Sequence, residues 1–217
     1  MRLKYPHAGS DLSLIFEERF TDPLHLQHNQ GTVNLVGAAT LPIDHGATFP
    51  TIASGLTAYV TYPSSKCKIT ACKAMTVVFD ATFLAFDAVV NTCIFQKYEN
   101  ATNEWVIVVQ AATGKAWATF RRNGVSYGCF MTPALPTGSR VEVAFTWSGA
   151  ATLGYLNGSV VASAASNVGV VEPTGALIVG SGTNQLRSCT LHHVRVWNRA
   201  LSAADIAALY AGRDVIL

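Results

Sequence analysis

Two Asn-Gly dipeptides, each lying between runs of alternating apolar and polar residues, constrain the fold of this chain most strongly. Asn123-Gly124 and Asn157-Gly158 are the residue pair preferred in type I′ turns, because both turn positions need a positive φ angle. Turns of this type join neighbouring antiparallel strands. Together with about a dozen short strand-like runs at regular intervals, they predict an all-β fold, a two-sheet antiparallel jelly-roll sandwich.

The strand-like runs are identified by alternation and by their β-branched and aromatic residues. The clearest is 141–147, where apolar side chains occupy every second position and Glu142, Ala144 and Thr146 lie between them. This pattern predicts a strand with one buried and one exposed face. The other predicted strands are 12–20, 32–35, 47–49, 56–62, 75–83, 93–97, 105–111, 116–121, 125–130, 151–156, 159–162, 177–179 and a strand around 194–196.

One short helix is predicted near the C-terminus, because both of its ends are marked. Ser202 and Asp205 form a capping-box pattern, and Leu201 and Ile206 have the spacing of a hydrophobic staple. Gly212 supplies a left-handed stop. We expect this short helix to lie flat on a sheet and to cover one end of the sandwich. Its predicted apolar face consists of Ile206, Leu209 and Tyr210.

The C-terminal third carries a characteristic order of motifs. A strand ending in Trp (VEVAFTW) is followed by the hairpin LGYLNGSVV, the strand ALIVGSG and the ending VRVWNRALSAADI. This order resembles the concanavalin A-like lectin/glucanase superfamily, in particular its laminin-G-like and pentraxin-like members. Asp205 stands where the family pattern has Glu, a change that keeps the capping carboxylate. The resemblance implies a concanavalin A-like sandwich with one short C-terminal helix.

Because this superfamily includes glucanases, a glycosidase site has to be tested. A retaining glycosidase needs two carboxyl groups about 5.5 Å apart. Glucanases of the superfamily take them from an E-x-D-x-x-E run, which this chain lacks. Glu17 and Glu18 are adjacent and so point to opposite faces of a strand, Glu142 is alone on its strand, and Asp80 has no acidic partner two or four residues away. We therefore predict that the protein is not an enzyme.

Calcium is implied by the resemblance, because pentraxin-like and laminin-G-like members often bind it through loop oxygens. Calcium needs several oxygen ligands, including carboxylates. Asp22, Asp44 and Asp87 lie in or beside predicted loops and are the candidate ligands, although they form no DxD-type cluster. We predict no obligatory cofactor and keep calcium as the open alternative.

Histidine pairs also invite a metal interpretation. His25 and His28 lie in a loop bounded by proline, which would not align them as a helix does. His192 and His193 are adjacent in a predicted strand, so we expect their rings to point to opposite faces. Neither pair predicts a metal site.

Aromatic side chains are the remaining candidates for ligand contacts. Tyr98, Trp105 and Tyr127 lie in the central strands, where they could offer stacking faces to a sugar, and we take them as the candidate glycan-binding residues. Trp147 lies on the apolar face of its strand, so we expect it in the core.

The composition points to an uncharged surface. Half of the residues are hydrophobic and only 13% are charged, against about 25% in an average soluble domain. The chain has no apolar run long enough to be a transmembrane segment and no signal-peptide pattern. Its net charge of +2, with no basic run, gives no indication of nucleic-acid binding. A neutral surface favours packing against other proteins, while an unusually large core would explain the same figures.

The five cysteines are predicted to be reduced, buried thiols, because an odd number leaves one unpaired and no secretion signal is present. A bridge between Cys67 and Cys72 is sterically conceivable and stays open at this point.

These observations lead to one leading function and one alternative. We expect an N-terminal arm, 1–10, and a single sandwich domain, 11–217. Domains of this kind resemble bacteriophage virion proteins, which implies a decoration or fibre-tip subunit made in the host cytoplasm, forming homo-oligomers and contacting capsid or fibre proteins. The alternative is a glycan-binding lectin module. The predicted assembly residues are Met1, Arg2, Leu3, Lys4 and Tyr5.

Overall fold

The computed structural model describes residues 13–19, 31–36, 47–49, 57–68, 74–86, 88, 91–165, 172–180 and 189–212. These residues form fourteen strands, one turn of 3₁₀ helix at Ser64–Lys66 and one α-helix. The predicted strands are confirmed, with ends that differ by a few residues. The elements are β1 (Leu14–Arg19), β2 (Thr32–Val36), β3 (Ala47–Phe49), β4 (Thr57–Tyr62), β5 (Met75–Phe83), β6 (Thr92–Asn100), β7 (Asn103–Val109), β8 (Lys115–Arg122), β9 (Val125–Ala134), β10 (Arg140–Trp147), β11 (Ala151–Leu156), β12 (Ser159–Ala165), β13 (Leu177–Val179), β14 (Cys189–Trp197) and α1 (Ala203–Tyr210).

The strands form two antiparallel sheets of seven strands each. Sheet A has the order β1-β14-β5-β10-β11-β12, and the short β3 pairs with β14 beyond the end of β1. Sheet B has the order β2-β4-β13-β6-β7-β8-β9. Each sheet combines sequential hairpins, β10-β11-β12 in sheet A and β6-β7-β8-β9 in sheet B, with strands reached by longer crossovers, as in a jelly roll. The predicted fold class is confirmed.

The main core lies between the two sheets and is rich in aromatic residues. Phe145 and Trp147 enter it from sheet A, and Phe120 enters it from sheet B. The rings of Phe120 and Trp147 meet edge to face, with centroids 5.9 Å apart. The prediction that Trp147 is a core residue is confirmed.

Strand β10 differs from its prediction, because both of its faces are buried. Glu142, Ala144 and Thr146, which were expected on an exposed face, are almost fully buried. The reason is that α1 does not cover an end of the sandwich but lies against the outer face of sheet A. A second apolar cluster fills this contact and consists of Val78, Ala144, Tyr155, Trp197, Leu201, Ile206 and Leu209.

The predicted start and stop of the helix are confirmed. The Ser202 side chain accepts a hydrogen bond from the Asp205 backbone N–H at 3.1 Å, and Oδ2 of Asp205 accepts one from the Ser202 N–H at 2.9 Å. Gly212 has a φ of 77°. Tyr210 is an error of the prediction: Ile206 and Leu209 face the sheet, whereas Tyr210, about 100° further around the helix, is 52% exposed.

Both Asn-Gly turns have the predicted backbone conformation. Asn123 and Gly124 have φ angles of 50° and 80°, and Asn157 and Gly158 have φ angles of 49° and 78°. The first turn joins β8 to β9 and the second joins β11 to β12. These dipeptides therefore set the register of two hairpins.

Four of the five cysteines lie within the described residues, and all four are buried, as predicted. Burial raises the pKa of Cys93 to about 12 and that of Cys129 to about 12. Such thiols carry little thiolate at neutral pH and are poor nucleophiles. Cys72 lies outside the described residues.

Candidate functional site

A pocket of 360 Å³ opens on the outer face of sheet A, beside the end of α1. Strands β5, β10 and β14 form its floor, and the last turn of the helix forms one wall. We call it the helix-end pocket. Its polar and aromatic lining comprises Asp80, Arg140, Glu142, His193, Arg195 and Tyr210.

The strand register brings the acidic residues of the floor together. Glu142 on β10 lies directly opposite Asp80 on β5, and His193 on β14 lies opposite Asp80 on its other side. Directly opposed residues have Cβ atoms about 5 Å apart. Asp80 thus has an acidic neighbour across the strands, although it has none along its own strand.

Asp80 is paired with an arginine. Nε of Arg140 donates to Oδ1 of Asp80 at 2.7 Å and to Oδ2 at 2.8 Å, and the Arg140 Nη2 group also contacts Oδ2. These hydrogen bonds raise the pKa of Arg140. The pair occupies both carboxylate oxygens of Asp80 and balances its charge.

Glu142 is the unusual group of the pocket. The residue is 8% exposed, and its Oε1 atom is buried without a hydrogen-bond partner among the described residues. Burial raises the pKa of Glu142 to about 7, with a smaller contribution from Asp80, while Arg195 and Arg140 act in the opposite direction. An unsatisfied buried carboxyl oxygen is costly, so Glu142 is a candidate functional residue of the pocket.

The backbone of Glu142 is held in place by the neighbouring hairpin. Its N–H donates to Oδ1 of Asn157 at 3.0 Å, and the N–H of Asn157 donates to the Glu142 carbonyl oxygen at 2.9 Å. The turn that forms the hairpin therefore also holds the backbone that carries this carboxyl group.

A β-bulge shapes the third strand of the floor. The register of β14 against β5 shifts between Leu191 and His193, so that one residue is added at His192. His192 Nε2 lies 3.0 Å from Oγ1 of Thr82, and His193 Nε2 lies 3.0 Å from Oε1 of Glu17. Thr82 and Glu17 both lie on the outer side of sheet A. The prediction that the two rings point to opposite faces was therefore wrong, because strict alternation fails at a bulge. The rings nevertheless extend toward different neighbouring strands, β5 and β1.

Tyr210 forms the aromatic wall of the pocket, and its position depends on a glycine. A Cβ atom at Gly158 would lie 3.2 Å from Cβ of Tyr210 and 3.2 Å from Cα of Ala207. The absence of a side chain at Gly158 thus allows the β11–β12 turn to touch the last turn of α1. A side chain at this position would therefore press against Tyr210.

The predicted glycan-binding residues do not come together. Trp105 is 1% exposed and lies in the core, where its ring has no face available to a ligand, so it is withdrawn as a candidate. Tyr127 is half-buried and packs against Phe120 from the inner side of sheet B. Tyr98 is 44% exposed and occupies an outward position of β6. The alternation pattern could not separate these cases, since the central strands are largely buried on both faces.

The predicted calcium ligands Asp22, Asp44 and Asp87 lie outside the described residues, as do the predicted assembly residues Met1 to Tyr5. Within the described ranges, no three His, Cys, Asp or Glu side chains are grouped so that they could hold a metal ion.

The architecture defines a class of protein: a two-sheet antiparallel jelly roll with a short helix on one sheet and a small polar pocket beside it. The chain belongs to the concanavalin A-like lectin/glucanases superfamily, whose sequence profile matches residues 55–207. No curated protein matches the chain.

Solved structures with the same fold include domain 4 of AbnA, an extracellular arabinanase from Geobacillus stearothermophilus, in complex with arabinotriose. It has a TM-score of 0.66 and 14% identity, over 91% of this chain and 98% of that chain. The receptor binding domain of a botulinum neurotoxin C/D mosaic serotype has a TM-score of 0.63 and 14% identity, over 92% of this chain. The binding domain of botulinum neurotoxin DC in complex with SialylT has a TM-score of 0.64 and 12% identity, also over 92% of this chain.

The present chain spans about half of each toxin domain, 51% in both cases. At these identities the likeness establishes the fold alone. Among the residues that the structure describes, no helix has the length and apolar character needed to cross a membrane.

Proposed function

We propose that this protein is a non-catalytic binding module that holds a glycan in the helix-end pocket. The observation that carries the proposal is the placement of the half-exposed ring of Tyr210 beside the unpartnered carboxyl group of Glu142. Sugar sites combine an aromatic face, which covers the apolar side of a pyranose or furanose ring, with a few fixed polar groups. Both components are present here within one small pocket.

The fold neighbours give this proposal a precedent. The arabinanase domain was solved with arabinotriose, and one toxin binding domain was solved with SialylT. For botulinum neurotoxin type C, cell entry is described as dependent upon interaction with two ganglioside molecules. These ligands belong to those proteins. They support a glycan as the class of ligand, without identifying the sugar for this chain.

A binding role fits the acidic pair better than a catalytic one. A glycosidase of the retaining type needs one carboxylate free to attack the sugar and one carboxylic acid to protonate the leaving group. Both oxygens of Asp80 accept hydrogen bonds from Arg140. This pairing fixes Asp80 in the floor of the pocket, so Glu142 is the group that faces the ligand.

A glycan array probed with the purified protein, with and without a chelator, tests the proposal. We expect binding that is retained in chelator and is reduced at least tenfold by Tyr210→Ala. Tyr98→Ala is the matched control, because it removes an exposed tyrosine from sheet B and should leave binding unchanged. An array without any hit would overturn the glycan proposal. Equal losses of binding in Tyr210→Ala and Tyr98→Ala would show that the helix-end pocket is not the glycan site.

Assembly into a virion is the second candidate, and it rests on the outer face of sheet B. Phe130 is 62% exposed and stacks on Trp117 with ring centroids 5.1 Å apart. A large exposed apolar side chain on a surface with few charges favours packing against another protein. In this proposal the single domain carries the arm 1–10, including Met1 and Tyr5, onto a neighbouring subunit or a capsid or fibre protein.

Sedimentation of the purified chain tests this second candidate. We expect an oligomer that Phe130→Ser or deletion of residues 1–10 dissociates. Ser126→Ala, which changes a small polar residue on the same strand, is the control. A monomer at all concentrations, together with unchanged particle incorporation after deletion of the arm, would contradict assembly.

A further inference from the structure

We propose that the ligand of the helix-end pocket is an uncharged, hydroxyl-rich molecule, that one of its hydroxyl groups donates to Oε1 of Glu142, and that its binding releases a proton from this carboxyl group. This inference rests on the proposed function. It names the chemical class of ligand and a dependence on pH that the proposed function does not require.

The pocket carries charges of both signs, and this excludes ligands with a net charge of either sign. Arg140 on β10 and Arg195 on β14 would repel a cation, whereas Asp80 on β5 and Glu142 on β10 would repel an anion. The remaining titratable groups of the pocket lining are His193, which is paired with Glu17 of β1, and the phenol of Tyr210 on α1. A neutral polyol avoids both kinds of repulsion and can use donors and acceptors of both signs.

Oε1 of Glu142 is the unsatisfied hydrogen-bond acceptor in this arrangement. It is buried, it lacks a hydrogen-bond partner among the described residues, and its residue lines the pocket. The oxygens of Asp80 accept from Arg140, and Arg195 lies 5.7 Å from the ring of Trp197. A ligand hydroxyl that reaches Glu142 satisfies this oxygen and replaces water in a site with low polarity, where a charge-assisted hydrogen bond is strong.

The proton balance follows from the same contact. In the free protein, burial raises the pKa of Glu142 to about 7, so about half of the molecules carry the proton at neutral pH. A hydroxyl that donates to Oε1 stabilises the ionised form. The proton leaves the carboxyl group for the buffer, and no other bond is made or broken. Affinity is therefore weakest at acidic pH and rises by up to about 30-fold between pH 5.5 and pH 8.

Titration calorimetry with neutral probes tests this linkage. Arabinotriose, lactose and maltotriose, together with any neutral array hit, are measured at pH 5.5, 7 and 8, and at pH 7 in two buffers with different enthalpies of ionisation. We expect the rise in affinity described above and release of about half a proton at pH 7. Sialyllactose, which adds a carboxylate to lactose, should bind more weakly than lactose.

Two variants identify the titrating group. Glu142→Gln keeps the shape of the side chain and should abolish both the pH dependence and the proton release. His193→Gln removes the histidine of the pocket, and the slope of affinity against pH should persist whatever its effect on affinity. If the dependence of affinity on pH persists in Glu142→Gln and disappears in His193→Gln, the inference is overturned.

The outcomes separate this inference from the proposed function. A neutral saccharide that binds with the same affinity at all three pH values contradicts the proton linkage and leaves the glycan proposal standing. Preference for sialyllactose contradicts the uncharged class. Absence of binding by every probe and every array glycan removes both proposals.

Discussion

Nζ of Lys97 lies 2.7 Å from Oε1 of Glu172 and is fully buried in the sandwich. The same ammonium group donates to the carbonyl oxygen of Cys67 at 2.6 Å, and it lies 5.5 Å from the centre of the Trp105 ring. Lys97 thus connects the middle of sheet B to the residues that follow the 3₁₀ turn and to those that precede β13. A buried ammonium group is tolerated only while these partners are present.

The Lys97–Glu172 pair predicts an asymmetric response to mutation. Glu172→Ala leaves a charge buried without its partner and should lower the free energy of unfolding by about 3 kcal/mol, while Lys97→Met removes the charge and should cost less. Urea unfolding of both variants and of the double variant measures the difference. Equal losses in the two single variants would show that the buried charge is not the cause.

Thr76 on β5 connects the sheet to the start of α1. Its hydroxyl donates to the Arg199 carbonyl oxygen at 2.8 Å and accepts from the Leu201 N–H at 2.9 Å. Thr76→Val should cost about 2 kcal/mol, because two buried backbone groups lose their partner. Thr152→Val is the matched control: its buried hydroxyl has no partner among the described residues, so the change should be neutral or stabilising. Thermal unfolding compares the two, and a loss of equal size in both would refute the argument.

The two Asn-Gly turns provide a matched pair of glycine substitutions. Gly124→Ala places a side chain at a positive φ with nothing within 4 Å, and should cost about 1 kcal/mol for strain alone. Gly158→Ala adds the contact with α1 and should cost more. Saccharide binding should be affected only by Gly158→Ala, since this change displaces Tyr210. Comparable effects on binding in both variants would contradict the role of Gly158.

The capping box predicts a dependence of stability on pH. Burial alone would raise the pKa of Asp205, but hydrogen bonds from Ser202 and the charge of Arg199 outweigh it, so the pKa is lowered. The resulting stabilisation is present above the unfolded pKa of about 4 and is lost as the pH falls through the lower folded value. Asp205→Asn should therefore destabilise the protein by about 1 kcal/mol at pH 7, and the difference from wild type should shrink below pH 4. A constant difference across this range would contradict it.

Glu142 predicts the opposite dependence, because its pKa is raised to about 7. The folded protein holds this proton more tightly than the unfolded chain does, so stability is lost as the pH rises from about 4.5 through 7, by roughly 2 kcal/mol. Glu142→Gln should remove this loss and be the more stable protein at pH 8. Unfolding curves at pH 5, 6, 7 and 8 measure it, and parallel curves for the two proteins would exclude a raised pKa.

The sequence predicted most of the fold because the relevant signals are local. Strands 75–83, 151–156 and 177–179 were predicted at their observed ends from apolar content bounded by turn residues. The capping box and both Asn-Gly turns depend on residues within a few positions of each other. Burial on both faces of β10 was missed, because alternation cannot register a helix that packs on the other side of the sheet.

The candidate site was missed for a different physical reason. Glu142, Asp80 and His193 become neighbours only through the pairing of three strands that are far apart in the chain. Register of this kind is set by tertiary packing and, at His192, by a bulge. The one local signal was Tyr210, an aromatic residue at the edge of the predicted apolar face of the helix. The prediction placed Tyr210 on the buried face because it assumed a wider apolar face than the one that packs against the sheet.

The placement of α1 makes the two broad sides of the sandwich inequivalent. The helix lies on sheet A with the helix-end pocket beside it. The outer face of sheet B instead carries the stacked rings of Trp117 and Phe130, which belong to its own strands. The first side offers a small molecule a pocket, and the second side offers a flat macromolecular surface close approach to exposed aromatic rings. The two broad sides of the domain thus differ, and both can be occupied at once without competition.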